Sequence, residues 1–146
     1  VTSADAAGST IRYVESSALV AAVIEHDAAA SAALQAPGRR VTSALTLAEA
    51  HRAVVRARMQ GRLDADLASR AEAALRLFER RTEIVAVDDV VLSRAGRPFP
   101  VEPIRTLDAI HLATAELLGD PPGLVTVLRR DARVRDNARA LGFETA

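Results

Sequence analysis

The chain has no cysteine and no tryptophan, and all nineteen of its basic residues are arginine, so lysine is absent as well. Without thiols there can be neither a disulfide framework nor a thiolate metal site. Without a lysine amine, Schiff-base chemistry, a P-loop cation and the lysine partner of a phospho-receiver are all excluded. Aromatic residues make up only 3% of the chain, so stacking platforms for single-stranded bases are scarce. Asp and Glu together also number nineteen, which leaves a formal net charge of zero. No global basic field draws in nucleic acid, and any phosphate binding has to be local. No apolar run approaches the ~18–20 residues of a membrane span.

What is present suits one domain with its own core: 146 residues, 49% hydrophobic and 26% charged. The opening "VTSADAAGST", residues 1–10, is small and polar and lacks the charged and greasy halves of a signal peptide. It reads as a flexible leader, and a cytoplasmic location is expected. Four short apolar runs rich in β-branched residues predict buried strands: "IRYVE" (11–15), "RRVTSA" (39–44), "TEIVAV" (82–87) and "LVTVLRR" (124–130). Helical segments lie between them. "SALVAAVIE" and "DAAASAALQ" are closed by Pro37-Gly38; "TLAEAHRAVVRARMQG" has Thr46 as its expected N-cap and Gly61 as its stop. Residues 64–81 predict an amphipathic helix with Leu67, Ala71, Ala74, Leu75 and Phe78 on one face. A short helix ends near Gly96, a proline-punctuated link leads to "TLDAIHLATAELLG", and "DARVRDNARALG" closes at Gly142 before "FETA", an expected edge strand. Strands alternating with helices predict a parallel α/β sheet of four to five strands, flanked by helices on both faces.

Acids recur where strands hand over to helices. Glu15 ends the first strand, Glu49 and Asp108 fall in opening turns of helices, and Asp131 stands between the fourth strand and the last helix. Parallel α/β sheets gather such junctions along the carboxyl edge of the strands, where these folds place their sites. Four carboxylates brought together repel one another unless protons or cations intervene, and hard divalent ions such as Mg²⁺ or Mn²⁺ are their natural partners. Each acid also has an ordinary structural role. "TLAE" fits a capping box, Asp108 complements a helix dipole, and Asp131 suits an N-cap. Glu15 is the hardest to explain that way, because Ser16 and Ser17 are already available as caps.

"YVESSALV", "SALTLAEAHRA", "RTLDAIHLATA" and "DARVRDNARALGF" resemble the four acidic motifs of PIN-domain ribonucleases, in particular the toxins of VapBC toxin–antitoxin pairs. The resemblance runs from Ile11 to Phe143 in the family's order, and implies a single PIN-like three-layer α/β/α domain over residues 11–146. It also implies a divalent-metal-dependent endoribonuclease that leaves a 3′-hydroxyl and a 5′-phosphate. Carried over by motif, Glu15, Glu49, Asp108 and Asp131 take the catalytic positions, with Glu15, Asp108 and Asp131 as metal ligands. Ser17 falls where the family has a serine that orders the first acid or a metal-bound water. The implied partners are RNA, a VapB-type antitoxin whose C-terminal segment covers the acidic pocket, and a second copy in a homodimer, with no membrane involved.

Two departures from the family pattern stand out. The first acid is Glu where relatives usually have Asp, which moves the carboxylate out by roughly one C–C bond (~1.5 Å) and can alter metal affinity. For the fourth acid, registering on Thr126 would place Leu128 there, whereas registering on "NARALG" places Asp131, the preferred alignment.

Arg129, Arg130 and Arg133 flank that acid, and serve either as phosphate-binding groups or as solvated charge at a helix start. His26, His51 and His111 are assigned structural or surface roles. A haloacid-dehalogenase reading fails, because Glu15-Ser16-Ser17 does not supply Asp-x-Asp. A PIN-like domain that binds RNA or protein without cleaving stays open.

Overall fold

The computed structural model describes residues 10–146, so the expected leader lies outside the described residues except for Thr10. Five strands, β1 (Ile11–Val14), β2 (Arg39–Ser43), β3 (Glu83–Val85), β4 (Val125–Leu128) and β5 (Glu144–Thr145), form one sheet in the order β3-β2-β1-β4-β5. Every pairing is parallel, and Ile11 stands opposite both Arg39 and Val125. The helices are α1 (Ser16–Val23), α2 (Ala28–Gln35), α3 (Ala44–Met59), α4 (Ala65–Arg80), α5 (Asp89–Ala95), α6 (Thr106–Glu116) and α7 (Ala132–Ala140).

Successive side chains of a strand point to opposite faces, so the sheet carries two cores. Ile11, Tyr13, Val125 and Val127 pack with Val91 of α5, Ile110 and Leu112 of α6 and Val134 of α7. Val14 and Leu128 pack on the other side with Leu19, Leu34, Val54 and Leu75, from α1, α2, α3 and α4. The three-layer α/β/α arrangement expected from the sequence is therefore the fold observed. Chain order reverses between β1 and β4, which makes the carboxyl end of that pair a topological switch point.

Three local expectations need correction. The strands are shorter than the apolar runs; β3 covers Glu83–Val85 alone, because an edge strand has a single partner, β2, to hold it. α3 begins at Ala44, not after Thr46: Ser43 ends β2 in extended conformation and its hydroxyl accepts the Leu45 N–H at 3.1 Å. Thr46 turns inward, where it is buried and its hydroxyl faces the Val14 carbonyl, so Glu49 sits in the second turn and is no capping-box partner. On α4, Ala71, Leu75 and Phe78 are buried, whereas Leu67 and Ala74 line an open cleft against α1 and α2. The expected apolar face is thus only partly covered.

Candidate active site

Glu15 leaves β1 as the N-cap of α1, a role the sequence had offered to the serines beside it. Its Oε2 accepts the Ser17 N–H at 3.1 Å and the Ser17 hydroxyl, while Oε1 accepts the Ser16 hydroxyl at 2.8 Å. Ser17 Oγ in turn accepts the Arg130 N–H at 2.7 Å, which ties the first acid to the loop after β4. Three donors fix this carboxylate although the residue is only 3% exposed, so its burial is matched by hydrogen bonds.

Glu49 reaches the same edge from α3, and a histidine holds it there. His111 Nε2 lies 2.6 Å from Glu49 Oε1 and 3.8 Å from Glu15 Oε1. Behind it, the Tyr13 hydroxyl is 2.9 Å from Nδ1. Burial pushes the Tyr13 pKa well above the ordinary tyrosine value, so that hydroxyl keeps its proton. An imidazole protonated on Nε2 satisfies both contacts, donating to Glu49 and accepting from Tyr13. His111 is 1% exposed and occupies the middle of a polar chain that runs from Tyr13 in one core to Glu49 on α3. Its assignment to a structural or surface role missed its contact with two of the four acids.

Asp108 projects from the first turn of α6, and Asp131 is the N-cap of α7, accepting the Arg133 N–H at 2.8 Å. A single guanidinium joins them. Arg105 Nε donates to Asp108 at 2.9 Å and its Nη2 donates to Asp131 at 3.1 Å. The pKa of Arg105 is raised, first by its hydrogen bond with Asp108, then by the charges of Asp108, Asp131 and, more weakly, Glu15. Sequence reading passed over Arg105, although its place three residues before Asp108, at the cap of α6, was a usable signal. Leu128 is buried in the core, so of the two registers for the fourth acid only Asp131 reaches this edge.

The four acids thus arrive from four elements as two pairs, Glu15/Glu49 about the His111 imidazole and Asp108/Asp131 about the Arg105 guanidinium. Among the described residues, no three His, Asp or Glu side chains converge tightly enough to hold a metal ion as they stand. The donor chemistry nevertheless fits a hard cation. The ligands are carboxylate oxygens, and Asp108 and Asp131 already share one positive group. Of the flanking arginines, Arg130 pairs its guanidinium with Asp27 at the start of α2. Arg133 is exposed, and Arg129 is partly buried.

A parallel sheet with acids gathered at its switch point defines a class of α/β proteins built for chemistry or binding at the carboxyl edge. The PIN domain family matches residues 12–140, and the chain belongs to that family. It is 39% identical over 134 residues to Ribonuclease VapC46 of Mycobacterium tuberculosis (strain ATCC 25618 / H37Rv), spanning 90% of this chain and 92% of that one. It is 35% identical over 135 residues to Ribonuclease VapC35 of the same species, again covering 90% and 92%. Among solved structures, VapBC2 from Rickettsia felis, bound to a DNA fragment from its promoter, aligns with a TM-score of 0.64 at 15% identity, over 94% of this chain and 98% of that one. Mycobacterium tuberculosis VapC20, a Sarcin-Ricin loop cleaving toxin, aligns at 0.62 with 20% identity, over 90% and 95%. At those identities the structural likeness establishes the fold.

Proposed function

We propose that the chain is a divalent-metal-dependent endoribonuclease toxin, cytoplasmic and restrained by a cognate VapB-type antitoxin. The observation that carries this reading is the meeting of Glu15, Glu49, Asp108 and Asp131 at one sheet edge, with His111 and Arg105 holding positive or donor groups between them. The relatives named as VapC ribonucleases support it.

Glu15, Asp108 and Asp131 would hold Mg²⁺ or Mn²⁺, which supplies a more acidic bound water and neutralises charge on the scissile phosphate. Ser16 and Ser17 keep the Glu15 carboxylate aimed, and His111 keeps Glu49 beside it, placed to accept a proton from attacking water. Attack on phosphorus breaks the bond to the 3′-oxygen, which departs as a hydroxyl and leaves a 5′-phosphate. Arg105 lies at the rim, 62% exposed along its side chain, where a phosphodiester would meet it. A homodimer and an antitoxin segment covering the edge complete the proposal.

Sequencing RNA ends from cells expressing the wild type beside Asp108→Asn tests it. Discrete new ends that vanish with the variant support the reading; identical ends in both, or none in either, overturn it. The second reading, a PIN-like domain that binds without cleaving, draws on the absence of a three-ligand set among the described residues. Calorimetry showing no Mn²⁺ binding, together with no acid-dependent cleavage, would establish it instead.

A further inference from the structure

Arg129 stands out among the arginines at the carboxyl edge. Its Nε is buried without a hydrogen-bond partner, and no carboxylate pairs with its guanidinium among the described residues. A buried donor on a charged group normally finds an acceptor, so this orphan marks Arg129 as a cation left uncompensated among the described residues. Its surroundings deepen the deficit. Arg129 follows β4, and its N–H donates to the Ala146 carbonyl just past β5, which sets it against the outermost strand. Arg139 of α7 borders the same strand, its Nε donating to Thr145 Oγ1 at 3.1 Å, and Arg135 stands one turn earlier on the same face of that helix. The carboxylate that offsets them is Asp136, which already accepts from Arg135 Nε at 2.8 Å.

Like charges crowd here as the acids do at the switch point, with the sign reversed. We propose that Arg129, Arg135 and Arg139 form an anion track for the RNA backbone, leading from the acidic edge down the β5 side of the sheet. The ligand is a phosphodiester. Three guanidiniums spaced along a helix and a strand end suit successive phosphates better than one compact anion, and the track starts two residues before Asp131. It accounts for backbone recognition in a chain with almost no aromatic side chains. The track rests on the ribonuclease reading for its ligand, and not on any particular cleavage site.

The test uses the full chain carrying Asp108→Asn, titrated into a fluorescent single-stranded RNA across a NaCl series. Arg135→Gln with Arg139→Gln should weaken binding about tenfold at low salt and flatten the log–log salt dependence by about 1.4, or ~0.7 for each phosphate no longer neutralised. Arg129→Gln, whose partly buried site makes folding a concern, is read only if its thermal melt matches the parent. Inorganic phosphate should compete only at far higher concentration than RNA; equal potency per phosphate would indicate a small-anion site and overturn the track. Unchanged RNA affinity and slope in the double variant would overturn it too, as would loss of binding to an acidic protein partner with RNA binding intact. Cleavage by the same arginine variants with Asp108 restored separates the two ideas. Persistent, acid-dependent cutting with unaltered RNA binding sinks the track alone, whereas no cutting by the wild type sinks the ribonuclease reading.

Discussion

His111 and Arg105 do at the residue scale what neither carboxylate pair can do for itself. Each supplies a donor between two acids that would otherwise repel. Replacing His111 by Ala frees Glu49 from the imidazole that holds it and removes the ring nitrogen that meets the Tyr13 hydroxyl. RNA cleavage by His111→Ala should fall about 10–100-fold, as is typical when a supporting hydrogen bond is removed, and His111→Gln should recover part of it. Equal losses in both variants would show that the imidazole does not act through Glu49. Arg105→Ala should move in the opposite direction in a binding assay. With no guanidinium competing for Asp108 and Asp131, Mn²⁺ affinity by calorimetry should rise roughly three- to tenfold, the scale of one partly exposed ion pair. Weaker Mn²⁺ binding would mean that Arg105 helps to build the ion site. Both residues were hard to read from sequence, for different reasons. The partners of His111 lie 98 and 62 residues away, so no local pattern could reveal them. Arg105 stands three residues before Asp108 and was legible, but a basic residue ahead of a helix attracts no notice until its acid is known to matter.

At the scale of elements, the acids double as structural parts, and the two duties can be separated. Asp131 caps α7 with one oxygen and meets Arg105 with the other. Asp131→Asn keeps a good cap and discards the charge, so cleavage should drop while the melting temperature holds. Asp131→Ala discards both, costing about 1 kcal/mol of stability, or roughly 2–4 °C in Tm for a chain of this size. Differential scanning calorimetry with a cleavage assay distinguishes them; equal Tm values for the two variants would deny the cap. The elements themselves were largely visible in the sequence, because β-branched runs and Gly stops at 61 and 142 are local signals, and both glycines adopt positive φ. The start of α3 was not. Thr46 and Ser43 look equally fit to cap, and the choice is made by β2, which delivers Ser43 to the helix start and leaves Thr46 facing Val14 across the sheet. The α4 face was over-read for a related reason: periodicity marks Leu67 and Ala74 as apolar without saying whether another element covers them.

For the molecule as a whole, zero net charge hides local concentrations of each sign, with four acids at the switch point and Arg129, Arg135 and Arg139 on the β5 side. The loops that border the edge are joined by ion pairs, of which Asp27–Arg130 links the start of α2 to the β4–α7 connection. The pKa of Asp27 is lowered, chiefly by the Ala30 N–H that it caps and then by Arg130. A carboxyl with a depressed folded-state pKa contributes stability above its unfolded value and loses it as pH falls through the folded one. Acid titration of unfolding midpoints should therefore show a decline below the usual Asp range that is shallower in Asp27→Asn. An unchanged profile would mean that the pair adds nothing.

Glu15 and Glu49 are delivered by the layer of α1 and α3, whereas Asp108, His111 and Asp131 come from the layer of α6 and α7 on the opposite side of the sheet. Neither half alone presents a complete set. On the proposed ribonuclease reading, a copy in which either helix layer has come loose from the sheet should therefore be unable to cleave RNA, however intact the other layer stays.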